Sequence, residues 1–170
     1  MTIIVPSSII IGMNREDLIW CAGIIDADGS IYITKLSPGP RRKRTTYVGK
    51  IYVGNTSKKM VDEFREIFGG SVTLDSRKDL PNSKPFWHWN AGPKLSREIL
   101  KAVLPFLKIK NRQAEIILEF SKFSKLSKKR AVKRDSLGRV TGSSVEYNSE
   151  ILKQMEELYD EIKSLNQRGV

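Results

Sequence analysis

The sequence contains almost none of the side chains that form disulfides or zinc sites. Cys21 is the only cysteine and His88 the only histidine among 170 residues. One cysteine forms no intrachain disulfide, and a structural zinc site needs four Cys or His ligands. These absences exclude zinc-finger proteins and histidine-rich catalytic sites, and they leave carboxylates as the ligands of any catalytic metal.

Long apolar runs are also missing. No segment approaches the roughly 20 apolar residues that cross a bilayer. The N-terminal letters MTIIVPSSIIIGM lack the positively charged start of a signal peptide and are interrupted by Pro6. We therefore expect an intracellular protein with no membrane partner, in the cytoplasm of a prokaryote or in an organelle matrix, with residues 1–13 as an N-terminal packing arm.

Negative charge is scarce relative to positive charge. Thirty Lys and Arg residues stand against 19 Asp and Glu residues, a net charge of +11. A basic excess of this size attracts polyanions, so nucleic acid is the leading partner. A ribosomal-type or merely soluble basic protein has the same balance, so charge alone does not say what is done with the nucleic acid.

The spacing of apolar residues predicts alternating helices and strands. Acidic residues before a compact apolar body predict a helix from about Asn14 to Asp28. The letters SIYITKL and TYVGKIYVGN alternate with a period of two and predict two strands joined by a basic loop. A helix from Ser57 to Phe68 and the strands SVTLDSR and KPFWHWNA follow, which gives the order αββαββ.

The second half of the chain is predicted to be mainly helical. Two helices flank Pro105, and an amphipathic helix closes the chain. The stretch between these helices is polar, basic and without clear periodicity, which predicts an exposed connection that contacts phosphates or is simply a solvated loop. We therefore predict one α+β domain, residues 1–170, with an αββαββα core, an antiparallel sheet and extra C-terminal helices. Its parts are an arm (1–13), a core (14–123), a basic connection (124–148) and a C-terminal helix (149–167).

Residues 21–29, CAGIIDADG, combine small residues with two acids at a helix end. Ala22 and Gly23 present almost no side chain, so another helix backbone can approach closely. A helical Gly costs roughly 0.5–1 kcal/mol relative to Ala, which suggests a packing reason for it. Asp26 and Asp28 lie where the helix dipole disfavours carboxylates, and a bound cation would reverse that cost. Taken alone, Asp28-Gly29 is more often an ordinary turn.

The nine residues match the LAGLIDADG signature at every position except Cys21 and Ile24, both apolar replacements. Together with the αββαββ order and the basic balance, they make the chain resemble the LAGLIDADG homing endonucleases. One motif in a short chain resembles the homodimeric branch of that family. The resemblance implies an intron-encoded enzyme that makes metal-dependent double-strand breaks in a long, near-palindromic DNA target.

The resemblance also implies roles for individual residues. Asp28 and the carbonyl of Ala27 would bind Mg²⁺, with Mn²⁺ able to substitute and Ca²⁺ expected to bind without supporting cleavage. Asn55 would position the attacking water, and Lys110 would stabilise the pentacoordinate phosphate. A further basic residue is Lys59, or its neighbour Lys58. A helix cap for Asn55 and a solvated charge for Lys59 are equally good explanations. Asp26 would support the helix end, and the predicted dimer interface comprises Ala22, Gly23 and Asp26.

A sheet with helices on one face leaves its other face for the DNA major groove. In the fourth strand, Phe86 and His88 share one face and Trp87 and Trp89 the other, and we predict the Trp pair in the core. Tyr32 and Tyr52 are equally well explained as ordinary strand formers. A loop with Arg41, Arg42 and Arg44 is expected to follow the DNA backbone, giving affinity without base preference. The sheet residues predicted to contact bases are Ser30, Tyr32, Thr34, Thr46, Val48, Lys50, Tyr52, Thr73, Asp75, Arg77 and His88.

Two other functions stay open at this point. LAGLIDADG-like domains also serve as RNA splicing cofactors (maturases) or as DNA-binding proteins that do not cut. The presence of Asp28 and Lys110 favours cleavage. A basic structural RNA-binding protein is a third alternative, but it has no need of the closely packing CAGIIDADG segment.

Overall fold

A computed structural model of the chain describes residues 13–40, 45–75, 84–126 and 128–167. The first four helices and first four strands follow the predicted order. A short 3₁₀ turn, Leu104–Phe106, stands at the predicted proline interruption. The elements are α1 (Arg15–Asp28), β1 (Gly29–Leu36), β2 (Thr46–Asn55), α2 (Lys58–Phe68), β3 (Ser71–Asp75), β4 (Phe86–Asn90), α3 (Pro93–Val103), α4 (Asn111–Leu126), β5 (Lys128–Arg134), β6 (Val140–Tyr147) and α5 (Ser149–Leu165).

Strands β1 to β4 form one antiparallel sheet in the order β1-β2-β4-β3. Ile31, Ile51, Val53 and Trp89 are fully buried on the face that the helices cover, and this face contributes to the hydrophobic core. Period two then places the neighbouring residues on the opposite face. Trp89 is fully buried in the core, and Trp87, on the same face, is partly buried and packs against it. The predicted facing of the fourth strand agrees with this, although only Trp89 is fully buried.

Local capping explains where the first two helices begin. The Asn14 side chain accepts a hydrogen bond of 2.7 Å from the Asp17 backbone N–H, and the Ser57 hydroxyl accepts one of 3.4 Å from Met60. Each cap satisfies a backbone donor that the first helical turn leaves without a partner. The predicted starts of α1 and α2 are confirmed.

Helix α1 buries Cys21, Ala22 and Ile25 completely within its own chain. These residues face α3 and β2, because the helical repeat puts positions 21, 22 and 25 on one side of the helix. Ala22 therefore has no surface left for a second molecule. Its prediction as a dimer-interface residue is corrected: its small side chain serves packing inside the protomer.

The stretch predicted as an irregular basic connection, 124–148, is corrected by the structure. It contains the end of α4 and an antiparallel hairpin, β5 paired with β6. The turn is built on Asp135, whose carboxylate accepts hydrogen bonds of 2.9 Å from the backbone N–H groups of Leu137 and Arg139. A two-stranded hairpin can form through backbone hydrogen bonds and a turn alone. It does not need the alternation of apolar and polar residues by which a half-buried strand is recognised in a sequence.

Helix α5 is held on the domain by apolar and polar contacts. Met155, Leu158 and Ile162 are buried, and the guanidinium of Arg112 on α4 donates to both carboxylate oxygens of Glu161 at 2.7 and 3.0 Å. The predicted C-terminal helix is present. Across the described ranges, no helix is long and apolar enough to span a membrane.

Candidate active site

The C-terminus of α1 and the end of β2 meet at one edge of the sheet. Strand β1 follows α1 without a loop and pairs with β2, with Gly29 opposite Val53, so Asp28 and Asn55 come together. Asn55 Nδ2 donates a 2.8 Å hydrogen bond to Asp28 Oδ2. Asn55 Oδ1 accepts a 2.8 Å hydrogen bond from the Ser57 N–H. The Asn55 amide is therefore held at both ends and orients the Asp28 carboxylate.

Gly29 makes the direct passage from helix to strand sterically feasible. A Cβ atom at this position would lie 2.7 Å from the Cα and the carbonyl oxygen of Ile25. Real Cβ atoms do not approach backbone atoms so closely, so any larger residue would push β1 away from the end of α1. The final Gly of the CAGIIDADG segment thus determines where Asp28 stands relative to the sheet.

Asp26 binds the loop that precedes α4. Its Oδ2 accepts from the backbone N–H groups of Lys108 at 2.7 Å and Ile109 at 3.2 Å, and its Oδ1 accepts from Lys110 at 2.9 Å. Both carboxylate oxygens thus accept hydrogen bonds from the backbone of residues 108–110 in the same protomer. The predicted structural role of Asp26 agrees with this geometry. Asp26 is partly buried, and its contact with a second copy of the chain stays a prediction.

Lys110 reaches back from this loop to the end of α1. Its ammonium donates to the carbonyl of Ile25 at 2.9 Å and to the carbonyl of Asp26. Burial lowers the pKa of Lys110, while the negative charges of Asp26 and Asp28 oppose that shift. A cation at the carbonyl end of a helix is favourable. The side chain therefore carries positive charge to the end of the helix where Asp28 lies.

The second predicted basic residue lies on α2. Lys59 is exposed in the first turn of this helix. Its neighbour Lys58 is bound to Asp62 in an ion pair and lies over the Trp87 ring, 5.0 Å from its centre. Lys59 therefore remains the better of the two candidates, and its role stays a prediction.

The predicted base-contacting residues of β1 and β2 share the open face of the sheet. The register of β1 and β2 places Ser30 opposite Tyr52, Tyr32 opposite Lys50 and Thr34 opposite Val48. Thr46 is the first residue of β2, at the end of the strand away from Asn55. On the other half of the sheet, Thr73 lies opposite His88. Asp75 follows on the same face as Thr73. Arg41, Arg42, Arg44 and Arg77 lie outside the described residues.

An open groove of about 780 Å³ connects this face to the end of α1. Ala27, Tyr32, Tyr52 and Lys110 line it, together with two residues that the sequence did not single out, Ile109 and Gln113. Ile109 is 71% exposed, and Gln113 is buried at the groove. The sequence assigned neither residue a role, and only the folded chain places them at the groove.

The outward side of α1 carries small and apolar residues in one row. Ile19, Gly23 and Ala27 recur every fourth residue and are exposed, Ile19 by 42%. A Cβ atom added at Gly23 would meet nothing within 4 Å. This row, the α1 stripe, is apolar surface directly beside Asp28.

The donor chemistry at the end of α1 suits a hard divalent cation. Asp28 and Ala27 are exposed residues, and the Asp28 carboxylate and the Ala27 carbonyl offer oxygen ligands, the type that Mg²⁺ prefers. No group of three His, Cys, Asp or Glu side chains suited to a metal occurs in the part of the chain described here. The oxygen atoms of Asp28 and Ala27 are therefore chemically suited to a hard cation.

Comparison with known proteins identifies the fold. No protein-family model and no curated protein matches the chain. The homing endonuclease I-CvuI, solved with the I-CreI DNA target in the presence of Mg, matches 92% of this chain and 88% of its own with a TM-score of 0.65 and 20% identity. The archaeal intron-encoded homing endonuclease I-Vdi141I, complexed with DNA, matches 91% of this chain and 87% of its own (TM-score 0.66, 14% identity).

The LAGLIDADG homing endonuclease I-SmaMI, bound to cleaved DNA, shows the same fold in a longer chain. Here the match covers 91% of this chain but 47% of I-SmaMI, with a TM-score of 0.59 and 12% identity. At these identities the comparisons show the architecture: the fold is that of the LAGLIDADG homing endonucleases.

Proposed function

We propose that this chain, which has the LAGLIDADG homing-endonuclease fold, is a site-specific DNA endonuclease that cuts both strands of its target as a homodimer. The observation that carries the proposal is the cluster at the end of α1. There the Asn55 amide holds the Asp28 carboxylate at 2.8 Å, the Lys110 ammonium lies beside them, and the groove leads to the polar face of the sheet.

The open sheet face suits the major groove of double-stranded DNA. It presents hydroxyl, amine, imidazole and carboxylate groups at alternate positions, all supported by a buried apolar face. The major groove distinguishes the four base pairs by donors, acceptors and the thymine methyl. The net charge of +11 provides the sequence-independent attraction to phosphates.

A second copy of the chain would complete the site. The α1 stripe, Ile19, Gly23 and Ala27, is exposed, and its small residues permit close helix contact. Two such helices meeting about a two-fold axis would bring two Asp28 side chains to the same DNA segment. In agreement with this, the chain matches about half of I-SmaMI, 47% of its length.

The proposed roles follow from the chemistry of each group. Asp28 and the Ala27 carbonyl would hold Mg²⁺, which supplies neutralisation of phosphate charge and a more acidic water. Asn55 orients the Asp28 carboxylate through its hydrogen bond and, with Lys59, is proposed to position water near the phosphate. The positive charge of Lys110 would stabilise the negative charge that develops on the pentacoordinate phosphate during cleavage.

The test is selection of cleaved sites from a randomised duplex library in Mg²⁺, with the natural chain and with Asp28→Asn. We expect one near-palindromic site family for the natural chain and none for the variant, since an amide replaces the only exposed carboxylate of the cluster. Asp160→Asn, an exposed aspartate on α5, is the matched control and should cut normally. Tight, site-selective binding without any cleavage by the natural chain would show a DNA-binding protein that does not cut.

A further inference from the structure

Three polar side chains form a chain of contacts across the open face of the sheet. The Tyr52 hydroxyl contacts Nδ1 of His88, and Nε2 of His88 lies 3.3 Å from Asp75 Oδ2. The three residues stand on β2, β4 and β3, and each contact runs diagonally between neighbouring strands, because Tyr52 pairs with Asn90 and Asp75 with Phe86. The imidazole is 19% exposed and the Asp75 side chain 39% exposed, so the network faces the side proposed to meet DNA.

Gly54 makes this contact geometrically feasible. In the sheet Gly54, not Tyr52, is the direct neighbour of His88, so the tyrosine must extend diagonally across the glycine. A Cβ atom on Gly54 would lie 2.7 Å from both the Tyr52 hydroxyl and the Phe86 ring. The edge of the Phe86 ring also supports the imidazole, with ring centres 5.1 Å apart. The position of the Tyr52 hydroxyl is therefore built into the sheet.

The carboxylate of Asp75 decides which imidazole nitrogen carries the proton. An ionised carboxylate only accepts hydrogen bonds, so a lone pair on Nε2 facing it at 3.3 Å would be repelled. A neutral ring therefore carries its proton on Nε2 and leaves Nδ1 as an acceptor. The Tyr52 hydroxyl then donates its single proton to Nδ1, and it meets any further group only as an acceptor.

We propose that Asp75 and His88 together hold the Tyr52 hydroxyl as an obligate hydrogen-bond acceptor, which makes Tyr52 select amine-bearing bases. In the major groove only adenine N6 and cytosine N4 offer donors, whereas guanine and thymine present acceptors. The base beneath Tyr52 should therefore be A or C rather than G or T. Tyr52 is the contact residue, and Asp75 and His88 are positioning residues. This inference rests on the proposed DNA-cutting function.

The first experiment tests the polarity without DNA. Because His88 is the only histidine, isotope labelling of histidine ring nitrogens gives one pair of NMR signals for the full chain. At about pH 9, well above the ordinary imidazole pKa, we expect the proton on Nε2. Asp75→Asn, whose amide can donate as well as accept, should bring both tautomers into exchange. A proton on Nδ1, or on both nitrogens, overturns the proposal.

The second experiment reads the base preference. Bound half-sites are selected from randomised DNA in Ca²⁺ with the natural chain, Tyr52→Phe, Asp75→Asn and the control Asp160→Asn. One half-site position should prefer A or C by about fivefold, the size expected for one neutral hydrogen bond. Tyr52→Phe should remove that preference, and Asp75→Asn should relax it towards G and T. Asp160→Asn, at an exposed position on α5 outside the sheet, should leave it unchanged.

The outcomes separate this inference from the proposed function. If Tyr52→Phe has the base preferences of the natural chain at every position, or if the base beneath Tyr52 is G or T, the inference fails while site-specific DNA binding stands. If the natural chain selects no DNA sequence at all, the proposed function fails and base selection by Tyr52 fails with it. The NMR result still decides the polarity of the network in that case.

Discussion

The Asn55 amide and the Asp28 carboxylate are joined by a 2.8 Å hydrogen bond, although they lie 27 positions apart in the chain. Asn55 cannot turn freely, because its Oδ1 also accepts the Ser57 N–H at the start of α2. The bond between the end of α1 and the end of β2 therefore orients the carboxylate that we propose as the metal ligand.

Removing this hydrogen bond should affect cleavage more than folding. We expect Asn55→Ala to lower the cleavage rate about 10- to 100-fold, the usual effect of losing a group that orients a metal ligand. Single-turnover cleavage at saturating protein measures it, and the melting temperature serves as the stability readout. Asn14→Ala, which removes the N-cap of α1, is the control with the reverse expectation. It should lower the melting temperature and leave the single-turnover cleavage rate nearly unchanged. Equal rates for Asn55→Ala and the natural chain would remove Asn55 from the active site.

Asp26 should matter through the loop that it binds. In Asp26→Ala, three backbone N–H groups of residues 108–110 lose their acceptor. We expect a loss of about 1–3 kcal/mol in the free energy of unfolding, measured by denaturant titration, because hydrogen bonds to a charged carboxylate are lost, one of them from the part-buried N–H of Lys110. Cleavage should fall as well, since the loop carries Lys110. A variant as stable as the natural chain would contradict the structural role of Asp26.

The cleavage rate should fall at alkaline pH as Lys110 loses its proton, and it should do so at a pH below the pKa of an ordinary lysine. Burial lowers its pKa in the folded chain, so the ammonium loses its proton as pH rises through that lowered value. The rate should therefore begin to fall below about pH 10.4, the usual lysine pKa. The sign for stability follows: the folded chain binds this proton less tightly than the unfolded chain. The Lys110 contribution thus disfavours folding at lower pH, where the group is charged in both states, and that penalty disappears as pH rises through the two pKa values.

The matching variant is Lys110→Met, which keeps much of the side-chain length and removes the charge. We expect cleavage to fall about 100- to 1000-fold, as for the loss of a group that stabilises transition-state charge, and the alkaline limit to disappear. Rate against pH is measured for both chains over the range in which both remain folded. A limit that persists unchanged in Lys110→Met would assign it to another group.

The α1 stripe should control assembly. Gly23→Arg places a long charged side chain where an added Cβ meets nothing in its own chain, so the protomer should fold normally. We expect sedimentation to show a dimer for the natural chain and a monomer for the variant, with double-strand cleavage lost. Leu137→Arg is the control, because Leu137 is 74% exposed in the turn of the β5–β6 hairpin, away from α1. Dimers of Gly23→Arg at the natural affinity would exclude this face as the interface.

Several local features of the fold were predictable from the sequence for identifiable reasons. Asn14 and Ser57 mark helix starts because a side-chain oxygen can satisfy backbone donors of the adjacent turn. The alternation of Ile31 and Ile33 with polar residues indicated β1 and its buried face, and the match of residues 21–29 to a family signature indicated the candidate site. The β5–β6 hairpin escaped prediction because backbone pairing leaves no periodic trace in a polar segment.

Apart from the β5–β6 hairpin, the sequence by itself determined the helices and strands, their order, the two faces of the main sheet and the acidic segment 21–29, since these depend on neighbours along the chain. Only the tertiary structure decided how distant groups are used. It turned Ala22 inward, committed Asp26 to the backbone of residues 108–110, and brought Lys110 to the end of α1. It also placed His88 between Tyr52 and Asp75. The physical reason is that such contacts depend on strand register and helix packing, which the whole folded chain sets together.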